Sequence, residues 1–556
     1  MLVPETRMGN RDERGTFRRI FCLILLGTAV LLLTSCGSGN DVPTRLPTAD
    51  VAMAQTEIAV PPPTPTATPE PATIVLSSPA DGVVLDLGQS VNLVVSASHP
   101  VGIRSISLTS NGQGIGTFQA VEQTSMEVNQ PWTPNHAGFH HVIATLTSRE
   151  GATISTEPIT VKVVDRQLLA EYAPIFAEIE ANVTEMRGLA PLKSVEPNLL
   201  TESELRQRLA AGFFYTQEEA HRDVLVLYAF DFTQRSFDLY NLTYRYLGEN
   251  IAGFYDPQTE EFVVLSNDDE IDPLEKLYYA HEFMHALQDQ HFQLDLLTDA
   301  NQGYESGMAV RALAEGEATL VQELYVDYGY LTQNDIIDIF NVLVNIRPEE
   351  STDYYPLVLS NSFSFAYTTG YDFAATIFNR NGWQGLNNAW ENVPQSTEQI
   401  IHPDRYFSGD APVEVSLPLL DRTLGAGWQQ VEEAVLGEFY LREYLGQRLR
   451  FDEVETAATG WGGDRFTVYW NEESDEIVLV LRNVWDTLVD SNQFVTGYGD
   501  YADLRFGTQR LSQPDGATCW HSIDYVCLYQ VGGETLVVRA PSLEMVTEIA
   551  ADIYSQ

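Results

Sequence analysis

Residues 278–291 read YYAHEFMHALQDQH, and His281-Glu282-Phe283-Met284-His285 lies inside them. This HExxH spacing sets two imidazoles four residues apart with a carboxylate between them. On a helix, positions i and i+4 share a face, about 40° apart around the axis and roughly one turn along. Two neutral imidazoles so placed can grip one Zn²⁺, and the intervening Glu282 can reach a water beside the metal. That is the layout of metal-assisted amide hydrolysis. Two histidines on a buried helix face without a metal would bury polar rings for no gain. Upstream, Ala252-Gly253-Phe254-Tyr255 and Phe262-Val263-Val264-Leu265 flank Asp256-Pro257-Gln258-Thr259, a turn between two strands. The motif helix is expected over about residues 273–290. The strand at 262–266 is expected to line the cleft and to pair with an extended peptide.

A catalytic zinc needs a third protein ligand and an open position. His291 has the spacing of the metzincin motif HExxHxxGxxH, but Gln288 stands where that motif has its helix-breaking Gly. On a continuing helix His291 is rotated about 240° from His285 and faces away. The other candidate lies in AVRALAEGEAT, residues 309–319. Here Glu315-Gly316-Glu317-Ala318 resembles the Glu-Gly-x-Ala ligand helix of gluzincin peptidases, and the match puts the ligand at Glu315. Glu317 is the alternative; it lies about 200° around the helix, so the two cannot face one ion. The small residues Ala312, Gly316 and Thr319 are expected to let this helix approach the HExxH helix closely. Tyr367-Thr368-Thr369-Gly370 resembles the Tyr-x-x-Gly helix of gluzincin aminopeptidases. It implies that the Tyr367 hydroxyl donates to the oxyanion. His402 is a second candidate donor to the transition state.

Over about residues 251–370 the chain thus resembles gluzincin zinc metallopeptidases. The resemblance implies a mainly helical zincin-type α+β catalytic domain. It also implies one catalytic Zn²⁺ on His281, His285 and Glu315, with Glu282 as general base and acid. The exopeptidase members carry a Gly-x-Met-Glu-Asn motif that captures a free amino end, and this sequence has none. An endopeptidase, or a peptidase of undefined end preference, acting on peptide or protein substrates is therefore expected rather than an aminopeptidase.

The formal net charge of −47, with three lysines in 556 residues, repels nucleic acid phosphates, so no nucleic acid partner is expected. Arg18 and Arg19 precede an apolar run at residues 20–33, short for a membrane span but suited to a signal peptide. It ends in Leu33-Thr34-Ser35-Cys36-Gly37, which resembles the lipobox of bacterial lipoproteins. The resemblance implies lipid on Cys36 and a membrane-anchored position on the extracellular face of the envelope. Cys519 and Cys527 then remain in an oxidising compartment and are expected to pair across a hairpin.

The expected organisation is multidomain: a lipoprotein signal peptide at 1–36, then a Pro/Thr-rich linker at 37–72 holding PPPTPTATPEPAT. An all-β sandwich follows at 73–165, where short alternating strands resemble bacterial immunoglobulin-like modules. Residues 166–445 are expected to form the zinc peptidase domain and 446–556 a small C-terminal α+β unit. His136, His140 and His141 read as exposed or half-buried strand residues rather than a metal cluster. Two other functions fit the same text. One is a non-catalytic cell-surface binding or adhesion lipoprotein. The other is a zinc hydrolase acting on a non-peptide amide or ester.

Overall fold

The computed structural model describes residues 72–121, 123–201, 204–206, 208, 215–249, 253–265, 271–300, 304–345, 356–507 and 510–555. The signal segment, Cys36 and nearly all of the Pro/Thr tract lie outside these residues. The protein is multidomain, with two compact units that among the described residues comprise 72–168 with 208, and 169–206 with 215–555. Among the described residues no helix is long and apolar enough to cross a membrane.

The first unit contains a β-sandwich. Strands Thr73–Ser78, Val91–Ser98 and Ser125–Trp132 make one sheet; a six-stranded sheet centred on Gly138–Ser148 makes the other. Strict alternation drives this. In Gly138–Ser148 every second residue is buried, so one face meets Leu93, Val95, Ile106 and Val161 in the core. His140 points into that core. Its Nδ1 meets Ser110 Oγ at 3.0 Å and its Nε2 meets the His136 carbonyl at 3.1 Å. Both ring nitrogens are engaged within the sandwich.

In the second unit, the motif helix runs Pro273–Phe292. Its start is written locally: Asp272 and Glu275 form a capping box and Pro273 opens the helix. It ends where Gln293 takes φ 58°. Before it lies a three-stranded sheet in the order Pro197–Leu200, Glu261–Leu265, Gly253–Asp256. The strand Glu261–Leu265 is central: it pairs parallel with Pro197–Leu200 and antiparallel with Gly253–Asp256. Both its ladders are filled, so it cannot add a peptide, contrary to the sequence expectation. Gly253–Asp256 holds the edge instead.

The Glu315-bearing helix spans Tyr304–Asp327, and a long helix spans Leu357–Glu391, bent at Gly382. A Cβ on Gly316 would lie 2.1 Å from the Gly370 carbonyl oxygen, and one on Gly370 would lie 2.2 Å from the Ala312 oxygen. The two backbones touch, and each glycine is required by the other helix. Gly316 and Ala312 therefore admit the long helix, whereas the sequence expectation is that they admit the HExxH helix.

The C-terminal part is a seven-stranded sheet from Trp428–Ala434 to Leu511–Ser512, closed by helix Leu543–Tyr554. It begins before residue 446, because Trp428–Ala434 pairs with Trp461–Asn471. Its core is shared with the helical part: Leu225 and Phe230 pack in one cluster with Leu441, Trp461, Phe466 and Leu479. Cys519 faces Cys527 across a hairpin, and the two form a disulfide.

Candidate metal centre

His281 and His285 project from one face of the motif helix, and Glu315 reaches them from the neighbouring helix. His281 Nε2 lies 3.1 Å from Glu315 Oε2; His285 Nε2 lies 3.3 Å from the same oxygen and 3.1 Å from His281 Nε2. Tetrahedral ligands about 2.0–2.1 Å from a zinc ion stand roughly 3.3–3.4 Å from one another. The triangle is thus close to the size such an ion needs. The donor set, two imidazole nitrogens and one carboxylate oxygen, is the type that zinc takes. Among the described residues this is the one group of three such side chains able to share a cation. All three are buried. Glu315 Oε1 has no hydrogen-bond partner among the described residues, which fits an oxygen kept for a cation.

The electrostatics agree with that fit. Burial by itself would raise the Glu315 carboxyl, but the His285 and His281 imidazoles outweigh it and hold the group well below the usual carboxylate range. Burial opposes a charged His285, yet the Glu315 carboxylate wins and pushes it up to about 9. A buried carboxylate here demands a positive charge, and a proton and a divalent cation compete to supply it.

The second oxygen of each catalytic-type carboxylate is arranged differently. Glu282 Oε2 accepts from the Tyr255 N–H at 3.0 Å, while its Oε1 is buried without a partner among the described residues. Burial raises the Glu282 carboxyl above its ordinary range. The Tyr255 hydroxyl donates to Asp289 Oδ2 at 2.8 Å, so the edge strand is fastened to the motif helix at two heights.

Behind His285 stands a buried relay. His285 Nδ1 lies 2.8 Å from Gln288 Oε1. Gln288 Nε2 donates to the Ala314 carbonyl and to Glu317 Oε2, both at 3.0 Å. An NH₂ group alone can serve two acceptors, so the amide oxygen must face the ring. That oxygen needs a donor, which puts a proton on Nδ1 and leaves Nε2 as the nitrogen that could ligate a cation. Glu317 is held in turn by Arg187 Nε at 2.7 Å and Trp390 Nε1 at 2.6 Å. Glu317 therefore faces away from the triad, as its angle on the helix requires. His281 Nδ1 has no such partner among the described residues.

The remaining candidates separate. Tyr367 is buried with its ring 6.1 Å from that of His281, centroid to centroid. His291 Nε2 meets the Ala190 carbonyl at 2.8 Å and takes no part in the triad. His402 is drawn elsewhere: its Nε2 lies 3.1 Å from Glu438 Oε1 and 3.5 Å from Arg442 Nη2. The buried Glu438 charge claims it, so the structure gives it no hydrogen bond to the triad. Gln288, Arg187 and Tyr255 carry no sequence signal for their positions here. Arg187 is 130 residues from Glu317 in the chain.

Residues 422–550 match a family described as Domain of unknown function (DUF8575), which covers the C-terminal sheet and not the HExxH helix. No curated protein matches the chain. Among solved structures, fibronectin(III)-like modules of Clostridium thermocellum CbhA match at 14% identity. That match covers 17% of this chain and 46% of that one, with a TM-score of 0.15. An engineered protein matches at 20% identity over 17% of this chain and 21% of its own, with a TM-score of 0.15. A polysaccharide lyase matches at 11% identity over 59% of this chain and 47% of its own, with a TM-score of 0.13. The chain spans less than half the length of each of these structures.

Proposed function

We propose that this chain is a zinc-dependent endopeptidase, held on the outer face of a bacterial envelope by lipid on Cys36. One observation carries the reading: two imidazole nitrogens and a carboxylate oxygen converge within 3.1–3.3 Å beside a second, half-free carboxylate, that of Glu282. His281, His285 and Glu315 would hold the ion, which when bound makes a water nucleophilic near neutral pH and polarises a carbonyl. Glu282 takes the proton of the attacking water on Oε1 and passes it to the leaving nitrogen. The Tyr255 N–H keeps Oε2 fixed while it does so. The Tyr367 hydroxyl serves the developing oxyanion, a contribution of about 3–4 kcal/mol for a well-placed donor. An extended peptide would lie along the edge strand Gly253–Asp256 rather than along the filled central strand.

Metal analysis and a peptide-cleavage assay on the purified protein test this. One zinc per chain is expected. Glu282→Gln should keep the zinc and lose cleavage about 10²–10⁴-fold, the usual worth of a general base. A fully active Glu282→Gln protein, or a chain that takes up no zinc, rejects the reading.

A further inference from the structure

Arg311 stands on the Glu315 helix four residues before the ligand, so it lies one turn from the triad, an axial offset of about 6 Å. Phe363 precedes Tyr367 by the same interval on the long helix, and the Arg311 guanidinium sits over its ring at 5.4 Å. The layer formed by Arg311 and Phe363 is therefore the next one along from the layer formed by Glu315 and Tyr367. Arg311 Nε and Nη2 are both buried and have no hydrogen-bond partner among the described residues. Among the described residues no ion pair satisfies the charge. Glu305 and Glu443, which with Arg311 act on the Tyr440 phenol, are otherwise engaged: Glu305 accepts from the Thr397 N–H and hydroxyl, and Glu443 accepts from Asn361 Nδ2. In a chain with 78 acidic and 31 basic residues, an arginine left without a carboxylate stands out. Two guanidinium nitrogens buried without partners are costly, and the planar fork is shaped for a carboxylate. The side chain as a whole is partly exposed, so a ligand can reach it. The Tyr440 phenol lies within reach of its charge, giving the same place a second polar group.

We propose that Arg311 is a subsite for a substrate carboxylate, and this rests on the peptidase reading of the adjacent triad. Its source is either the free carboxyl end of a peptide or an acidic side chain. The axial offset from the triad equals about two residues of extended chain, so that carboxylate belongs close to the bond that is cut. Arg311 forms charge-assisted hydrogen bonds to it, and the Phe363 face backs the guanidinium.

The test uses the zinc-loaded full chain with matched peptides: free acid against amide at the carboxyl end, and Glu against Gln inside. Wild type, Arg311→Met and Arg311→Lys are compared. One of the two acid sets should show a KM at least about tenfold lower than its neutral partner, and Arg311→Met should abolish that preference with little change in kcat. Arg311→Lys should retain part of it. Arg311→Met should also unfold at the same or higher urea concentration than wild type, because it removes two buried N–H groups that lack partners among the described residues. A structural arginine would lose stability. Equal KM for acid and neutral peptides in wild type, or a preference that survives in Arg311→Met, overturns the proposal. If no peptide is cut, equilibrium binding of the same pairs decides. Acid-selective binding lost in Arg311→Met keeps the subsite and rejects the peptidase reading; binding without selectivity rejects both.

Discussion

Replacing Gln288 probes whether the relay behind His285 prepares the metal site. In Gln288→Met three hydrogen bonds disappear: the one to His285 Nδ1 at 2.8 Å, and those to Ala314 O and Glu317 Oε2 at 3.0 Å. All lie in the interior. Leaving the His285 N–H unsatisfied costs about 1–3 kcal/mol, and Glu317 keeps only Arg187 and Trp390. The ring is then free to turn or to change tautomer, and loss of such a partner lowers metal affinity about 10–100-fold. Gln288→Glu separates orientation from stability. It still accepts from His285, but it sets a second carboxyl against Glu317 and the Ala314 carbonyl, where donors are needed. It should bind zinc more tightly than Gln288→Met and unfold more readily than wild type. Zinc affinity is read by competition with a chromophoric chelator, and stability by urea unfolding of the zinc-free protein. A Gln288→Met protein with zinc affinity within twofold of wild type would refute the argument that this amide sets the ligating nitrogen.

Two further outcomes follow from the packing. Gly316→Ala puts a Cβ 2.1 Å from the Gly370 carbonyl oxygen, so a backbone must move. Stability should fall by about 1–3 kcal/mol in urea, and zinc affinity should fall with it because Glu315 is the next residue. In the β-sandwich, burial lowers His140 from 6.5 to about 4. Between those pH values the unfolded chain takes up a proton that the folded one refuses. Stability of this unit is therefore full above pH 6.5 and declines by up to about 3 kcal/mol as pH falls to 4. Hydrogen exchange of the strand Gly138–Ser148 in the whole protein should accelerate over that window, and His140→Gln should flatten the dependence. Exchange that is insensitive to pH once the intrinsic rate is corrected would contradict it.

Much of the centre was legible before any coordinates. HExxH needs nothing but helical periodicity to bring His281 and His285 together, and Asp272, Pro273 and Glu275 announce the helix that carries them. The angle between Glu315 and Glu317 on one helix foretold that they would face different ways, and they do. The alternating strands of the sandwich and the Cys519–Cys527 pair are likewise local patterns. The surroundings of His402 were not legible because a lone histidine says nothing of its neighbours, and the buried Glu438 beside it lies 36 residues away. The strand expected to receive substrate misled for a related reason. Its alternation describes one chain, whereas edge or centre depends on Pro197–Leu200, supplied from far upstream.

Sequence alone determined what is set by spacing along a single element: which side chains share a helix face, where that helix starts, and what chemistry they offer. Tertiary structure decided which elements meet. The touching of Gly316 and Gly370, the Arg187–Glu317–Gln288 relay and the unpaired Arg311 all join segments that no local periodicity relates. Close backbone approach and burial of charge are properties of the packed chain, so their consequences appear only after the helices have docked.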